Sequence, residues 1–412
     1  MGAYLDRIDA APASERWRLV RGLMYGEPQP FFAELRAERP VLELPDLTIV
    51  TRFADCALTL RRHQDFGVDL YRPKQGDYFM AQDDTADHWR DKSIMRAILD
   101  FEQVPRMRAH VGDTARDILR EAGGAIDAPK RLTRAVPISL VKTFFGFDDA
   151  DDEQLFDWSY WNQQDAFHNQ FFDAIVTPDP QKIVRERERA NTELALFTAR
   201  VMAKRSVAVK LGFGGDDSIS RLIHLSFSGG VNFPLKKVLF NAGGLLIGAV
   251  ETTSHAVNNA LAELLKRPDV LDRARAAAAS PDAQAFDGFV FEALRFNPAF
   301  PYFFRTCHRR TVMSAGTPEA RAVEPNATVL AVTHSAMFDE AAFEEPDRFD
   351  EARSQADAFT FGQGLHECLG RVIAQAMIPE VVRQCLLLPN LRAEGPVRFE
   401  GGVPESFPLR WG

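Results

Sequence analysis

The chain has 412 residues, of which 46% are hydrophobic and 26% are charged, so it carries enough apolar side chains for a large core and is not mainly disordered. Its formal charge of −9 argues against general nucleic-acid binding. The four scattered cysteines form no Cys-x-x-Cys pair, which excludes a disulfide scaffold and paired zinc knuckles. No signal peptide is recognisable, and no apolar run reaches the roughly 18–20 residues that span a bilayer. We therefore predict a cytoplasmic protein with no membrane anchor.

Apolar residues recur with helical spacing over most of the chain, and proline or glycine separates the periodic segments. Two short apolar runs, at 42–50 and 327–332, are predicted strands. Helices are predicted at 88–122, 186–210, 236–266, 284–297 and 369–388. Glycine-rich stretches at 212–215 and 229–230 are too short for linkers and are predicted loops between helices. We therefore predict one mostly helical domain that spans residues 1–412.

Cys368 lies in a glycine-rich stretch, FGQGLHECLGR, directly before a predicted helix. Gly364 and Gly370 allow positive φ angles and a close approach of the backbone. A helix N-terminus favours an anion, which lowers the pKa of a thiol and makes the thiolate its expected state. A thiolate is a good metal ligand, whereas the alternative is a structural cysteine buried in a tight turn. The Cys-x-x-Cys-His motif of covalently attached haem is absent.

Two pairs of polar side chains lie on predicted apolar helices. Glu251 and Thr252 follow a long apolar stretch, where a carboxylate needs water or a partner. A helical threonine ordinarily bonds back to the carbonyl four residues earlier, and this is the alternative to a functional acid–alcohol pair. Glu292 and Arg295 share one helix face. If that face is buried the pair must be well satisfied, whereas a solvated pair is the alternative.

The pattern F-x-x-G-x-H-x-C-x-G resembles the haem-binding signature of the cytochrome P-450 family, and the resemblance runs from roughly residue 30 to residue 411. It implies a mostly α fold with small β-sheets, in which haem b is buried between a long central helix and the cysteine-loop helix. It further implies Cys368 as the iron ligand, Phe361 as the ring beside the sulfur and His366 as a contact of a haem propionate. The other cofactor contacts that it implies are His88, Lys92, Arg305, Gly364 and Gly370.

The same resemblance gives roles to the two polar pairs. The motif [AG]-G-x-[DE]-T-[TS] implies that Glu251 and Thr252 deliver protons during oxygen activation. The family's E-x-x-R pair corresponds to Glu292 and Arg295, and its later P-x-R-F string supplies Arg348. These three residues are implied to form a structural network and not to act as catalysts.

Two positions depart from the family pattern. Ala249 stands in the acid–alcohol motif where glycine is usual, and neighbouring Gly248 compensates for it in part. Lys92 stands where the family has an arginine that binds a haem propionate. Lysine keeps the positive charge but loses the bidentate geometry of a guanidinium.

The resemblance implies a haem-thiolate monooxygenase that inserts one oxygen atom from O2 into an organic molecule. No flavin or nicotinamide domain is present in the sequence, so the electrons are expected from a separate iron–sulfur ferredoxin and its reductase. A hydrogen-peroxide-driven peroxygenase and a non-oxidative haem-thiolate isomerase are the alternatives. We expect a monomer that has neither nucleic acid nor a membrane as partner.

The expected substrate follows from the character of the predicted pocket. The chain has 32 Phe against 6 Tyr and 5 Trp, which indicates either an apolar core or a cavity lined by rings. The resemblance places the substrate contacts at Phe79, Leu245, Gly248, Phe300, Phe303 and Phe407. Because this set is apolar and uncharged, we predict a compact apolar or aromatic substrate.

Overall fold

The structure, a computed structural model, describes residues 2–211, 213 and 215–412. Its α-helices, in chain order, are α1 (Ala3–Ala10), α2 (Ala13–Gly26), α3 (Pro28–Glu38), α4 (Phe53–Arg61), α5 (Arg72–Gln75), α6 (Ala86–Ile98), α7 (Val104–Ala122), α8 (Ala135–Leu140), α9 (Asp152–His168), α10 (Pro180–Lys210), α11 (Ser218–Phe227), α12 (Leu235–Leu265), α13 (Pro268–Ala278), α14 (Ala283–Phe296), α15 (Thr333–Ala336) and α16 (Arg371–Leu386). Of the loop predicted at 212–215, Gly212 and Gly214 lie outside the described residues. The loop predicted at 229–230 is confirmed between α11 and α12.

The strands are short and form small sheets. In chain order they are β1 (Val41–Glu43), β2 (Thr48–Val50), β3 (Phe66–Gly67), β4 (Ala125–Asp127), β5 (Phe303–Cys307), β6 (Thr311–Met313), β7 (Arg321–Val323), β8 (Thr328–Ala331), β9 (Arg392–Ala393), β10 (Arg398–Glu400), β11 (Val403–Ser406) and β12 (Pro408–Arg410). The sheet orders are β1-β2-β8-β5-β3, β6-β7, β4-β12-β9 and β10-β11. The predicted class, mostly α with small β-sheets, is confirmed.

The chain forms two compact units, each built from separate stretches of sequence. The first unit comprises Met1–Gly76, Met80–His88 and Arg295–Cys368. The second comprises Asp77–Phe79, Trp89–Leu294 and Leu369–Gly412. The single domain over residues 1–412 stays a prediction.

In the first unit, β8 lies at the centre of the five-stranded sheet. It pairs parallel with β2, where Ile49 faces Leu330, and antiparallel with β5, where Phe304 faces the same Leu330. All three side chains are buried, so this register forms the core of the sheet. Helix α4 is tied to the turn after β6, because buried Asp55 accepts hydrogen bonds from the N–H and the hydroxyl of Ser314, each 2.6 Å long. The turn after β6, which belongs to the two-stranded β6-β7 sheet, thereby helps to hold α4 in place.

In the second unit, α12 is the long central helix and is buried over most of its length. Helices α9, α10, α11 and α16 pack against it. Helix α16 also packs along α7, where Gly112 leaves room for the carboxylate of Glu380. Arg108 of α7 joins Glu380, at 3.0 Å, to Asp287, at 2.7 Å, and so fixes α16 to α7 and α14. Within the described ranges, none of the helices is both long enough and apolar enough to span a membrane.

The strand predicted at 42–50 is wrong as a single element, because β1 and β2 are the two arms of a hairpin. The N–H of Leu44 donates to the carbonyl of Leu47 over 2.9 Å, which closes a turn around Pro45 and Asp46. Proline and aspartate both favour turns. The strand predicted at 327–332 is confirmed as β8.

The helix predicted at 88–122 is also wrong as a single element. Helix α6 ends at Ile98 and α7 begins at Val104. Between them Asp100 adopts a left-handed conformation with φ 49°, and its carboxylate accepts from the Gln103 amide at 2.8 Å. A non-glycine residue in that conformation interrupts a right-handed helix.

The other predicted helices are confirmed. Helices α12, α14 and α16 agree with prediction to within a residue or two at each end. Helix α10 begins earlier than predicted, at Pro180, because Asp179 caps it by accepting from the N–H of Lys182 at 2.9 Å. A capping aspartate followed by proline is a strong start signal for a helix.

A buried arginine crosslinks the first unit. Arg295 is 1% exposed and donates to the carbonyls of Met337, at 2.9 Å, and Arg348, at 3.3 Å. Its guanidinium also lies 4.5 Å from the ring centroids of Phe296 and Phe338. Arg348 contributes its carbonyl, while its own guanidinium is exposed. Arg295 therefore contacts Arg348 through the backbone carbonyl of Arg348, and the network of Glu292, Arg295 and Arg348 stays a prediction.

We expect Arg295→Ala to destabilise the protein strongly. It leaves the buried carbonyl of Met337 without its donor, and a buried unsatisfied group costs about 1–3 kcal/mol. The carbonyl of Arg348 keeps a second donor, Nη2 of Arg353 at 3.2 Å. Arg348→Ala is the matched control, because its side chain makes only exposed ion pairs with Glu345 and Asp350, which contribute about 0–1 kcal/mol. The measurement is denaturant unfolding of both variants. Equal losses of stability would contradict the assignment of Arg348 to the network through its carbonyl.

Candidate functional site

The predicted site residues are distributed over both compact units. The first unit holds His88, Arg295, Phe300, Phe303, Arg305, Arg348, Phe361, Gly364, His366 and Cys368. The second unit holds Phe79, Lys92, Leu245, Gly248, Glu251, Thr252, Glu292, Gly370 and Phe407.

The cysteine loop of the first unit closes on itself. The N–H of Cys368 donates to the carbonyl of Phe361 over 2.9 Å, so the two predicted partners are fixed close together. The Cys368 side chain is exposed, whereas Cys56, Cys307 and Cys385 are buried. Burial raises the pKa of each of these three thiols, in Cys385 to about 12. Cys368 is therefore the cysteine that can reach a ligand, and the alternative of a buried structural cysteine does not describe it.

Gly364 allows the loop to lie directly on the backbone of α4. It has φ +76°, and a Cβ placed there would lie 2.9 Å from Arg61 Cα and 3.1 Å from the carbonyl carbon of Leu60. These are backbone atoms, which cannot turn aside as the end of a side chain can. Both the conformation and the space thus require glycine. Gly370 differs, since it has φ −85° and no described atom within 4 Å of such a Cβ.

Two histidines of the first unit lie side by side. The rings of His88 and His366 are in an edge-to-face arrangement with centroids 5.1 Å apart. His88 is fully buried, and its backbone N–H donates to the hydroxyl of Thr85 at 3.0 Å. Imidazole N–H groups are hydrogen-bond donors for a carboxylate. The structure therefore brings together two of the predicted propionate contacts.

Arg305 of β5 is a buried cation. Its guanidinium donates to the carbonyl of Phe304 at 2.8 Å. Burial lowers the pKa of Arg305, while Tyr71 and Asp83 act in the opposite direction. Because burying a cation is costly, a bound anion would stabilise this one.

In the second unit, α12 is accessible at its middle. Gly248 is exposed, and no described atom lies within 4 Å of a Cβ built there, while Ile247, Ala249 and Thr252 are half-buried. The hydroxyl of Thr252 donates to the carbonyl of Gly248 at 2.6 Å. The amide of Gln163, on α9, donates to the carbonyl of Ile247 at 2.5 Å. Thr252 thus makes the bond to the carbonyl four residues earlier that was named as the alternative to a functional pair, and its hydroxyl has a fixed orientation beside the open space at Gly248.

Glu251 points into the protein and is 2% exposed. Its Oε1 lies 2.9 Å from Nε of Arg134, and its Oε2 accepts from Nε at 3.2 Å and from Nη2 at 3.1 Å. Burial raises the pKa of Glu251, and Arg134 offsets part of that rise. The acid and the alcohol are thus neighbours in sequence whose side chains have separate partners.

Lys92 is half-buried on α6, one residue after a more strongly fixed charge. Asp91 is fully buried and pairs with Arg90, at 2.8 Å, and with Lys237 of α12, at 2.9 Å. These pairs hold α6 against the start of α12. They also fix the backbone on which Lys92 is carried.

Most of the predicted substrate contacts are aromatic side chains. Of the predicted contacts, the side chains of Phe79, Leu245 and Phe407 are buried. Those of Phe300 and Phe303 are half-buried. The rings of Phe300 and Phe303 stack with centroids 6.3 Å apart. Cζ of Phe303 lies 3.9 Å from a Cβ built on Gly362, which places this ring against the cysteine loop.

The structure adds two residues that the sequence analysis missed, Arg134 and Gln163. Arg134 follows a π-helical segment, Pro129–Thr133, at the start of α8. A lone arginine in the apolar run LTRAVPI was a signal that could have been noticed. The contact of Gln163 with a main-chain carbonyl has no signature in the sequence.

Comparisons with known proteins agree with this geometry. Residues 41–388 match the family model described as Cytochrome P450. The chain is 29% identical over 332 residues to the erythromycin C-12 hydroxylase of Saccharopolyspora erythraea, which covers 79% of this chain and 78% of that one. It is 26% identical over 407 residues to the steroid C26-monooxygenase of Mycolicibacterium smegmatis, which covers 95% of each. Ligand-free cytochrome P450 TbtJ1 has a similar fold, with a TM-score of 0.78 at 21% identity over 93% of this chain and 96% of that one.

We expect Gly364→Ala to destabilise the cysteine loop, whereas Gly370→Ala has little effect. A non-glycine residue with positive φ costs about 1–3 kcal/mol, and the clash with α4 adds to that cost. Gly370 is the matched control, because its backbone conformation and surroundings both accept a methyl group. Denaturant unfolding of the two variants is the measurement. A Gly370→Ala variant as unstable as Gly364→Ala would contradict this account.

Proposed function

The chain belongs to the cytochrome P450 family, and from this premise we propose that it is a haem b monooxygenase that inserts one oxygen atom of O2 into a compact apolar or aromatic molecule. Membership of the family and the names of the relatives support a monooxygenase activity and a haem-thiolate cofactor. The form of the haem, the electron source and the substrate class are the proposal. The observation that supports it most strongly is the exposed Cys368 in a loop held by Gly364.

The donor set of the first unit fits a thiolate-ligated haem. Cys368 supplies an exposed sulfur, and Phe361 is hydrogen-bonded to it through the backbone. His88 and His366 supply adjacent imidazoles, and Arg305 supplies a buried cation, which suit the two propionate groups. When bound, a thiolate-ligated haem supplies the redox chemistry that favours cleavage of the O–O bond. We also assign Lys92, Gly364 and Gly370 to this cofactor.

We assign proton handling to Thr252 and Glu251. The hydroxyl of Thr252 donates its hydrogen bond to the carbonyl of Gly248, so its oxygen is oriented to accept a hydrogen bond from water. Glu251 has a raised pKa and takes up a proton at a higher pH than a solvated glutamate does. We therefore assign the uptake of a proton to the Glu251 carboxylate and the positioning of a water molecule to the oxygen of Thr252.

We propose a ferredoxin and its reductase as the electron source, with the protein acting as a monomer in the cytoplasm. The aromatic character of Phe79, Phe300, Phe303 and Phe407 supports an apolar or aromatic substrate. Turnover with a surrogate ferredoxin and reductase tests this scheme. Product formed with hydrogen peroxide alone, but not with O2 and the redox partners, would instead identify a peroxygenase.

We expect Cys368→Ala to abolish thiolate ligation. The reduced, carbon-monoxide-bound protein should absorb near the wavelength typical of thiolate-ligated haem, and this band should be absent in the variant. Cys385→Ala is the control, since Cys385 is buried in α16 and its thiol is not available to a ligand. Retention of the band in Cys368→Ala would remove the central assignment.

We expect Thr252→Ala to separate electron use from product formation. Haem content and NADH consumption through the redox partners should stay close to those of the parent. The hydroxyl of Thr252 is assigned no contact with the haem or with the redox partners. Product per NADH should fall several-fold, and hydrogen peroxide should rise by a matching amount, because proton delivery is no longer ordered. Thr253→Ala is the control, because Thr253 is buried on another face of α12. If Thr253→Ala uncouples turnover and Thr252→Ala does not, the assigned hydroxyl is wrong.

A further inference from the structure

Arg134 is a buried cation that is shared by two carboxylates. Its side chain is 6% exposed and makes the close ion pair with Glu251 described above. Its Nη1 and Nη2 also lie 3.5 Å from Oε2 of Glu405, whose side chain is 36% exposed. Nη2 donates in addition to the carbonyl of Pro404 at 2.9 Å. One guanidinium therefore connects an acid on α12 with a solvent-accessible acid on β11.

The hairpin β10–β11, which carries Glu405, is fixed to the same helices by other contacts. The amide of Gln164, on α9, donates to the carbonyl of Glu400 at 3.2 Å. The ring of Phe399 lies 5.5 Å from that of His255, one turn beyond Glu251 on α12. Gly402 leaves room for the ring of His168. Glu405 is therefore held beside Arg134 by the hairpin as a whole.

Two other titratable groups near Arg134 and Glu251, Tyr160 and His255, carry no charge near pH 7. The guanidinium of Arg134 lies 4.7 Å from the ring centroid of Phe156 and 5.7 Å from that of Tyr160, both on α9. Burial raises the pKa of Tyr160 to about 12, and burial together with His168 lowers the pKa of His255 to about 3, so both are neutral near pH 7. The charges that act on Glu251 are then Arg134, which stabilises its anion, and Glu405, which opposes it.

Glu251 also retains unused capacity. Its Oε1 is buried and accepts no hydrogen bond of good geometry from any residue that the structure describes. A carboxylate oxygen of this kind can hold a proton without breaking an existing hydrogen bond. The pair with Arg134 is thus compatible with both the ionised and the protonated form.

We propose that Arg134 is the positioning residue of Glu251 and that Glu405 competes with Glu251 for its guanidinium, so that the hairpin β10–β11 sets how readily Glu251 is protonated. This inference rests on the proposed function, because it explains what controls the protonation of Glu251, the acid to which that function assigns proton uptake. When Arg134 turns toward Glu405, Glu251 loses its counter-charge and takes up a proton. When Arg134 turns back, the anion of Glu251 is favoured and the proton is released.

Substitutions of Arg134 and of Glu405 are predicted to have opposite effects on the protonation of Glu251. Arg134→Gln removes the cation that stabilises ionised Glu251, so the acid stays protonated to a higher pH, by about one unit or more for a contact this close. Glu405→Gln removes an opposing negative charge, so Glu251 ionises at a lower pH. Arg134→Lys keeps the charge and should restore most of the parental behaviour. A residue with a purely structural role would not give shifts of opposite sign.

The test is a pH titration of the ferric holoenzyme by infrared difference spectroscopy, which follows the C=O stretch of protonated Glu251. Loss of the band in Glu251→Gln identifies it. Glu400→Gln is the matched control, because it removes one exposed negative charge from the same hairpin and Glu400 is not among the groups that act on Glu251. If the Arg134 variants misfold, Glu405→Gln still tests the inference, because the side chain of Glu405 is partly exposed and its substitution should leave the fold intact.

We expect the titration midpoint to rise in Arg134→Gln, to fall in Glu405→Gln and to stay in place in Glu400→Gln. An unchanged midpoint in Arg134→Gln, or equal shifts of the midpoint in Glu405→Gln and Glu400→Gln, would overturn the inference even if Thr252→Ala uncouples turnover. Fully coupled turnover in Thr252→Ala would overturn the relay, whatever the infrared titration shows. The two failures are therefore distinguishable.

Discussion

The cysteine loop depends on a close contact between two pieces of backbone. Gly364 lies against Leu60 and Arg61 at the end of α4, with no side chain between them. Helix α4 is in turn tied by Asp55 to the turn after β6. The position of Cys368 is thus fixed by the rigid elements on which the loop lies. Such preorganisation spares the binding step the cost of ordering the loop.

Buried and half-buried charged side chains in the second unit form shared clusters. Arg108 forms ion pairs with two carboxylates, and Arg134 forms ion pairs with two others. Asp91 forms ion pairs with two cations. Isolated buried pairs often fail to recover their desolvation cost, so each added partner matters for stability. Sharing has a second effect, because a change at one member alters the electrostatic balance of the others. The same arrangement therefore serves to join helices and to connect charges that lie far apart in sequence.

The parts that could be predicted from the sequence are those encoded locally. The loop around Cys368 and the helices α12, α14 and α16 follow from short motifs and from apolar spacing. The break between α6 and α7 was missed because it depends on the conformation of Asp100. The partnership of Glu251 with Arg134 was missed because these residues are 117 positions apart and meet only through packing. Arg348 shows a subtler limit, since its motif was recognised but its contribution is a carbonyl, which every residue has.

The sheet β4-β12-β9 has a consequence for how the protein is made. Its central strand, β12, comes from residues near 410, yet it pairs with β4 near residue 126 and with β9. The first unit is similar, because β2 pairs with β8 from the later half of the chain. Neither unit can close while the ribosome still holds these late strands. Until these strands have been synthesised, the early apolar segments stay exposed to chaperones and to aggregation.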